Sequence, residues 1–238
     1  MKRIICFGGG ELKSKTTLKI DEYVARLAKE KAGDKRAYGL FIGTASHDSM
    51  PYFNSFRKTY TSVFDIKADC ALTVYGEMNI DKIKEKFQKA DFIYIGGGDT
   101  LFMLEHWKKS GLYDLVLDAY HRGVIMVGLS AGAIFWFKTM YTDSAQLKID
   151  GNPYNMHPGI GLLDGCCTPH YNERISDFIC SFKDSTLDYA YAIEDDCAIE
   201  FIDGKLTGAI SAGGKAYLVK NNFGKIESVE IQEIIENK

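Results

Sequence analysis

The chain has 238 residues, of which 46% are hydrophobic and 26% are charged, and it contains only four prolines. This balance is that of a globular protein, and it excludes a disordered or a collagen-like chain. The 29 basic and 32 acidic residues give a formal charge of −3, so we expect no strong attraction to nucleic acid or to a membrane surface.

The cysteines and the N-terminus predict a soluble, cytoplasmic protein. None of the six cysteines forms a CxxC pair, and Cys166 and Cys167 are adjacent. This pattern suits free thiols better than a disulfide framework or a zinc site, and we expect no metal and no cofactor. The apolar run at residues 4–7 is too short for a signal peptide, and no run approaches the ~18 apolar residues of a membrane span.

Short apolar segments alternate with amphipathic segments along the first 140 residues. The apolar segments predict strands at 4–7, 38–42, 71–75, 91–95 and 124–127. The amphipathic segments predict helices at 19–32, 52–64, 79–89, 100–109, 112–122 and 130–137, with Asp99 as the cap of the fourth. This alternation predicts a doubly wound α/β fold, in which a parallel sheet is covered on both faces.

The pattern changes after residue 140. Strand-like segments at 191–201, 206–209, 216–219 and 228–231 surround turn sequences, which predicts antiparallel strands that extend the sheet. No linker-like segment separates the two parts, so we expect one domain over residues 1–238. Ligands of such sheets bind beyond the carboxyl ends of the strands.

The strongest chemical signal is the sequence GLSAG at residues 128–132, between an apolar strand and a helix. A serine on such a tight turn projects above the sheet, and the flanking glycines let neighbouring backbone pass closely. The N–H of Ala131 can then stabilise an oxyanion. The alternative is that Ser130 only caps the helix, but the strand–turn–helix context favours a nucleophile. Cys166 and Cys167 lack such a turn and rank below Ser130.

Two glycine-rich turns follow other strands. The sequence GGGDT at 96–100 lacks the spacing of a dinucleotide or P-loop motif. Its bare N–H groups suit an oxyanion hole beside Ser130, although a plain tight turn fits the glycines equally well. The turn at 8–10 has no distinctive partner, and we interpret it as structural.

A serine nucleophile needs a base and an acid that orients it. His106 and His121 fall on polar helix positions, and His47 follows a strand as a substrate-contact candidate. His157 and His170 both lie in loops and are both candidates for the base. The orienting acid is expected within Glu194-Asp195-Asp196, with Asp143 and Asp150 as weaker alternatives.

Taken together, the segments GGGDT, GLSAGA, PHYNER and IEDDCAI resemble the dipeptidase E and cyanophycinase family of serine peptidases. The resemblance spans most of the chain. It implies a three-layer, flavodoxin-like sheet related to class I glutamine amidotransferases, in which a serine replaces their cysteine.

The resemblance also implies roles for individual residues. Ser130 would be the nucleophile and His170 the general base, with oxyanion N–H groups from Gly97 or Gly98 and from Ala131. The segment AIEDDCAI places Asp195 in the column of the family's acid, where dipeptidase E proteins have a glutamate. A shift of one residue would make Glu194 the orienting acid, but the flanking Cys197-Ala198-Ile199 favours Asp195, with Glu194 as the alternative.

The family acts on peptides that contain aspartate, which implies a cation that binds a carboxylate. Arg174 is the candidate for this contact, and its alternative is a surface pair with Glu173 or Asp177. Asp99 is a candidate for binding the substrate α-amino group. We therefore expect a dipeptidase for substrates with N-terminal aspartate. The alternatives are an esterase or amidohydrolase that uses Ser130, and a non-catalytic module that binds a small anion. The sequence leaves homodimerisation open.

Overall fold

The computed structural model of the chain describes residues 1–75, 79–144 and 154–234. The strands within these ranges are β1 Arg3–Phe7, β2 Tyr38–Ile42, β3 Lys67–Ala71, β4 Phe92–Ile95, β5 Ile125–Leu129, β6 Phe137–Thr142, β7 Asn155–Pro158, β8 Leu163–Thr168, β9 Tyr189–Ile193, β10 Cys197–Ile202, β11 Lys205–Ser211, β12 Ala216–Asn222 and β13 Lys225–Glu230. The α-helices are α1 Leu18–Ala32, α2 Met50–Arg57, α3 Ile80–Lys89, α4 Thr100–Ser110, α5 Leu112–His121, α6 Ala131–Ile134 and α7 Tyr171–Lys183.

Seven strands form the main sheet in the order β11-β10-β1-β5-β4-β2-β3. The five strands from β1 to β3 in this order run parallel, and β10 and β11 join antiparallel at the β1 side. The predicted α/β fold with a mostly parallel sheet and C-terminal antiparallel strands is therefore confirmed.

Helices cover both faces of this sheet, and β4 shows why. Phe92 and Tyr94 pack in a core with residues of α1 and α2, whereas Ile93 and Ile95 pack in a second core with residues of α3, α4 and α5. Side chains alternate between the two faces of a strand, so a strand that is apolar at every position is buried on both faces.

The second sheet is the main difference from the sequence prediction. It has the order β13-β12-β9-β8-β6-β7, with β6, β8 and β9 parallel to one another. The segments near 216–222 and 225–230 are strands, as predicted, but they extend this sheet and not the main one. The sequence of a strand does not indicate which neighbour it pairs with, because that depends on packing between distant segments.

Several elements differ from their predicted bounds. The third strand covers Lys67–Ala71 and not 71–75, and the helix predicted at 52–64 widens into a π-helical turn over Lys58–Val63. The segment 191–201 is divided into two strands in different sheets, with the acids 194–196 in the turn between them. The break leaves these acids partly solvated, which avoids the cost of burying three charges in a strand.

The helix predicted at 130–137 is a single turn, α6, which ends at Ile134. Phe135, Trp136 and Phe137 are fully buried, and β6 of the second sheet begins at Phe137. The chain leaves the helix at this point because these aromatic side chains fill the core beside the sheets. A helix of four residues contributes only a small macrodipole at Ser130.

Candidate active site

Ser130 lies on the turn between β5 and α6, with φ 52° and ψ −109°. L-residues rarely adopt this backbone conformation, and such strain is typical of functional turns. The flanking glycines are required by close packing. A Cβ on Gly128 would overlap the carbonyl of Gly132, and a Cβ on Gly132 would overlap the carbonyl of Ile95.

His170 follows β8 and precedes α7, in a left-handed conformation with φ 48°. Its backbone N–H donates to the carbonyl of Gly8 over 3.0 Å. Its Nε2 lies 2.9 Å from the Ser130 hydroxyl oxygen. The carboxyl ends of β5 and β8, which belong to different sheets, thus bring a serine and a histidine into hydrogen-bonding contact.

Asp195, in the turn between β9 and β10, contacts the other ring nitrogen of His170. Its Oδ1 lies 2.6 Å from His170 Nδ1. Glu194 points elsewhere, and its Oε2 accepts from the backbone N–H of Lys215 over 2.9 Å. Of the two acids, Asp195, the one that the sequence favoured, lies against the histidine.

These contacts fix the protonation pattern of the histidine. An ionised carboxylate only accepts hydrogen bonds, so the proton of a neutral His170 is held on Nδ1. The lone pair of Nε2 then faces the Ser130 hydroxyl, which donates to it. The side chains of His170 and Asp195 are 24% and 25% exposed, so the pair is partly shielded from solvent. The arrangement suits removal of the serine proton by the imidazole.

Of the glycines in the GGGDT segment, Gly97 lies directly beside Ser130. A Cβ on Gly97 would come within 3.3 Å of the Ser130 Cβ, and Gly98 has φ 136° and packs against the carbonyl of Ala45. The N–H of Gly97 donates to the Tyr52 hydroxyl over 3.3 Å. Ala131 begins α6, and N–H groups of a first helical turn lack a partner within the helix. Of the three predicted oxyanion donors, Gly97 and Ala131 therefore adjoin Ser130, and Gly98 lines the same cavity.

The turn at 8–10 also belongs to this site, which the sequence interpretation missed. A Cβ on Gly9 would overlap both Asp195 Oδ1 and His170 Nδ1, and a Cβ on Gly8 would overlap the Glu194 carbonyl. The signal was available in the three consecutive glycines after the first strand. Only the pairing of β1 with β5 and β10 shows that they pack against the histidine and the acid.

A cavity of about 420 Å³ opens beside Ser130 and His170, a size typical of small-ligand sites. Its wall is formed by the loop after β1, by α2 and by the turns after β4 and β5. Lys13 and Glu11 are its charged lining residues, and Leu12, Leu129 and Tyr52 supply apolar surface. Burial raises the pKa of Tyr52 to about 12, so its hydroxyl stays protonated near neutral pH.

The two predicted substrate contacts lie outside the set of residues that line this cavity. Asp99 caps α4 by accepting from the N–H of Phe102 over 3.0 Å, next to Gly98 at the cavity wall. Arg174 is 6% exposed, and its guanidinium lies 4.5 Å from the ring centroid of Tyr154. Within the described ranges, Arg174 forms no ion pair and its Nε has no hydrogen-bond partner. The predicted pairs with Glu173 and Asp177 are not formed.

In the described part of the chain, none of the remaining candidates hydrogen-bonds the Ser130 side chain, whose partner is His170. His157 is on β7, His106 hydrogen-bonds the carbonyl of Thr73, and the ring of His47 packs 4.2 Å from that of Phe102. Asp150 falls within 145–153, outside the described residues, whereas Asp143 follows β6.

Cys166 and Cys167 are fully buried on β8. Burial raises the pKa of the Cys166 thiol to about 12 and that of the Cys167 thiol well above its usual value. Such thiols stay protonated and are poor nucleophiles.

Comparisons with known proteins point to one family. Residues 4–208 match the model of the family described as Peptidase family S51. An uncharacterized peptidase of Bacillus subtilis (strain 168), YgaJ, is 32% identical over 228 residues, which are 92% of each chain. Peptidase E of Salmonella arizonae is 26% identical over 113 residues, which are 48% of each chain.

Two solved structures share the fold. A peptidase from an acI-B1 Actinobacterium superposes with a TM-score of 0.73 at 15% identity, covering 98% of this chain and 95% of that one. A peptidase E protein from Listeria monocytogenes EGD-e gives a TM-score of 0.59 at 19% identity, covering 97% and 98%. In the described part of the chain, none of the helices is both long and apolar enough to cross a membrane.

Proposed function

Because the chain belongs to peptidase family S51 and is a peptidase, we propose that it is a serine peptidase that cleaves small peptides through an acyl-enzyme. The observation that carries this proposal is the chain of contacts from Asp195 through His170 to Ser130, with distances of 2.6 Å and 2.9 Å. These are the distances at which an oriented imidazole can take a hydroxyl proton.

The reaction would proceed in two halves. His170 takes the Ser130 proton at Nε2 while Oγ attacks the peptide carbonyl, and Asp195 holds the resulting imidazolium in place. N–H groups of Gly97 or Gly98 and of Ala131 stabilise the oxyanion. His170 then gives its proton to the leaving amine. A water molecule repeats these steps on the ester and releases the acid.

The proposed substrate is a dipeptide with N-terminal aspartate. Arg174 supports the acidic specificity, because a buried guanidinium without a described carboxylate partner is costly and is stabilised by a ligand carboxylate. Asp99 would bind the α-amino group, since its charge lies beside Gly98. Lys13, which lines the cavity, is the alternative cation for the carboxylate.

A dipeptide panel tests this proposal. We expect Asp-Leu to be cleaved with the highest kcat/KM and Asn-Leu, its neutral isostere, roughly 100-fold more slowly. Ser130→Ala should lose at least about 1,000-fold in kcat. Arg174→Met should remove the preference for Asp over Asn, while Lys13→Met, the matched control at the cavity, should keep it.

The outcomes separate the alternatives. Peptide cleavage that survives in Ser130→Ala would contradict the serine mechanism. Cleavage of p-nitrophenyl acetate without cleavage of any peptide would favour an esterase. Loss of the Asp preference in Lys13→Met, and not in Arg174→Met, would mean that Lys13, in the loop after β1, binds the substrate carboxylate.

A further inference from the structure

We propose that Asn172 is a positioning residue that holds the Asp195 carboxylate in the orientation in which it contacts His170. This inference rests on the proposed function, in which the Asp195–His170 pair activates Ser130. It adds a residue to which the sequence analysis assigned no role.

Asn172 and Asp195 form two reciprocal hydrogen bonds. The Asn172 side-chain Nδ2 donates to Asp195 Oδ2 over 3.1 Å, and its Oδ1 accepts from the Asp195 backbone N–H over 2.9 Å. One side chain therefore contacts both the backbone and the carboxylate of Asp195. Each oxygen of the carboxylate is then assigned: Oδ2 to Asn172 and Oδ1 to His170.

Asp195 needs such a partner because of where it lies. It sits in a short turn between strands of different sheets, followed by Asp196 in a left-handed conformation with φ 57°. Its side chain is 25% exposed, so water competes for the carboxylate and favours other rotamers. Two hydrogen bonds from one amide restrict that freedom.

Helix α7 gives the contact its precision. His170 is the residue that caps α7, and Asn172 is the second residue of the helix. Both residues that contact Asp195 thus lie in the short segment that opens α7, before the kink at Arg174 (φ −130°, ψ 22°), so Asn172 and His170 approach Asp195 from the same turn. On the other side, the Asp195 carboxylate packs directly against Gly9. A Cβ at this position would overlap Asp195 Oδ1.

The amide is the side chain that fits this position. It donates to the carboxylate and accepts from the N–H without bringing charge. An aspartate at 172 has the same shape and keeps the acceptor, but it places a second carboxylate against Asp195, and like charges repel. Asn172→Asp therefore removes the hydrogen bond to the Asp195 carboxylate and keeps an acceptor for the Asp195 backbone N–H. It tests the first contact separately from the second.

The experiment compares Asn172→Ala and Asn172→Asp with wild type, and uses Ser176→Ala, on the exposed part of the same helix, as control. Steady-state kinetics with Asp-Leu should show kcat reduced by roughly 10- to 100-fold in Asn172→Ala, the loss typical of removing an orienting partner, and at least as much in Asn172→Asp. KM should change less than about threefold, since Asn172 binds no substrate. The control should match wild type.

A spectroscopic measurement gives an independent result. The Nδ1 proton of a histidine bound to a carboxylate resonates far downfield in the proton NMR spectrum, and His170→Asn identifies the signal. We expect this signal in wild type and in Ser176→Ala, and its loss in both Asn172 variants. Circular dichroism should show that all of these variants are folded.

Three results would overturn the inference: a kcat of Asn172→Ala equal to wild type, a wild-type kcat in Asn172→Asp, or an unchanged downfield signal in both variants. A wild-type kcat in Asn172→Asp would mean that Asn172 acts only by accepting the hydrogen bond from the Asp195 backbone N–H. If wild type cleaves no peptide, or Ser130→Ala cleaves as well as wild type, the proposed function fails. The NMR comparison needs no turnover, so it still decides the role of Asn172.

Discussion

Asp195 and Glu194 are neighbours in the chain and have different partners. Asp195 contacts His170 and Asn172, whereas Glu194 accepts from the N–H of Lys215 and lies 3.5 Å from the Tyr217 hydroxyl. Both residues lie in the turn between β9 and β10, and the path of that turn sends the two side chains to different partners. One residue of register therefore decides which acid contacts the histidine.

This difference gives a matched pair of variants. Asp195→Asn should lower kcat by about 10⁴-fold, because an amide donor at this position favours the wrong tautomer of His170. Glu194→Gln keeps an oxygen that accepts from Lys215, and it should change kcat less than about threefold. Kinetics on Asp-Leu measure both. A larger loss in Glu194→Gln than in Asp195→Asn would reverse the assignment.

Asp21 of α1 is a buried carboxyl away from the site. It is fully buried and accepts hydrogen bonds from the Thr17 and Tyr60 hydroxyls over 2.7 Å and 2.8 Å. Burial raises its pKa from the usual 3.8 to about 7, against the smaller lowering effect of the two hydroxyls. The charged form is therefore disfavoured in the folded protein.

The raised pKa of Asp21 predicts a pH dependence of stability. Between about pH 4 and pH 7 the folded protein retains a proton that the unfolded chain releases, so the contribution of Asp21 to stability falls as pH rises. The free energy of unfolding of Asp21→Asn, relative to wild type, should rise by roughly 2–3 kcal/mol from pH 5 to pH 8. Urea unfolding at both pH values measures it.

Asp34→Asn, at an exposed position, is the control for removing a carboxyl that is not buried. A pH-independent difference for Asp21→Asn would show that the Asp21 carboxyl is charged at both pH values.

Among the elements, the glycine turn after β1 fixes how closely the histidine and the acid approach the sheet. Gly8 accepts from the His170 N–H, and Gly9 lies against the facing atoms of His170 and Asp195. The turn after β4 lies beside Ser130 in the same way. Two glycine-rich turns on strands that flank β5 thus form the floor of the candidate active site.

Gly9→Ala tests this role. Gly9 has no positive φ, so the substitution strains no backbone, and its effect comes from overlap with His170 Nδ1 and Asp195 Oδ1. We expect kcat/KM to fall by at least about 100-fold, the cost of misplacing catalytic groups by about 1 Å.

Gly204→Ala, where φ is 79° and nothing lies near the added Cβ, is the control. It should cost roughly 1 kcal/mol of stability and keep activity. Wild-type kcat/KM in Gly9→Ala would mean that the turn adjusts without disturbing the pair.

At the scale of the whole molecule, the two sheets share one core. Phe137 of β6 contacts Phe201 of β10 with ring centroids 5.6 Å apart, and Tyr191 of β9 contacts Phe201 at 5.2 Å. These contacts join strands of the second sheet to a strand of the main sheet. We propose on this basis that the chain forms a single folding domain.

One folding domain predicts one unfolding transition. In differential scanning calorimetry, we expect a single peak whose calorimetric enthalpy equals the van't Hoff enthalpy. The shared aromatic core is the reason, because Phe137, Tyr191 and Phe201 pack together across the two sheets. Two resolved transitions, or a calorimetric enthalpy well above the van't Hoff value, would show that the sheets unfold separately.

The sequence by itself determined the elements whose signals are local. Continuous apolar runs gave β1, β2, β4 and β5 nearly to the residue, and periodic apolar positions gave α1, α3, α4 and α5, because burial on one or both faces is written in the spacing of neighbouring residues. The turn geometry of Ser130 followed from its flanking glycines. The resemblance to the dipeptidase E and cyanophycinase family is confirmed by the match to Peptidase family S51.

Only the tertiary structure decided what depends on contacts between distant segments. It placed β12 and β13 in a second sheet, ended α6 after one turn, and put Gly9 and Asn172 against Asp195. It also showed that Asp195, and not Glu194, is the acid that contacts His170. Strand pairing and the direction of a side chain at a strand end are set by packing across the molecule, and no local pattern records them.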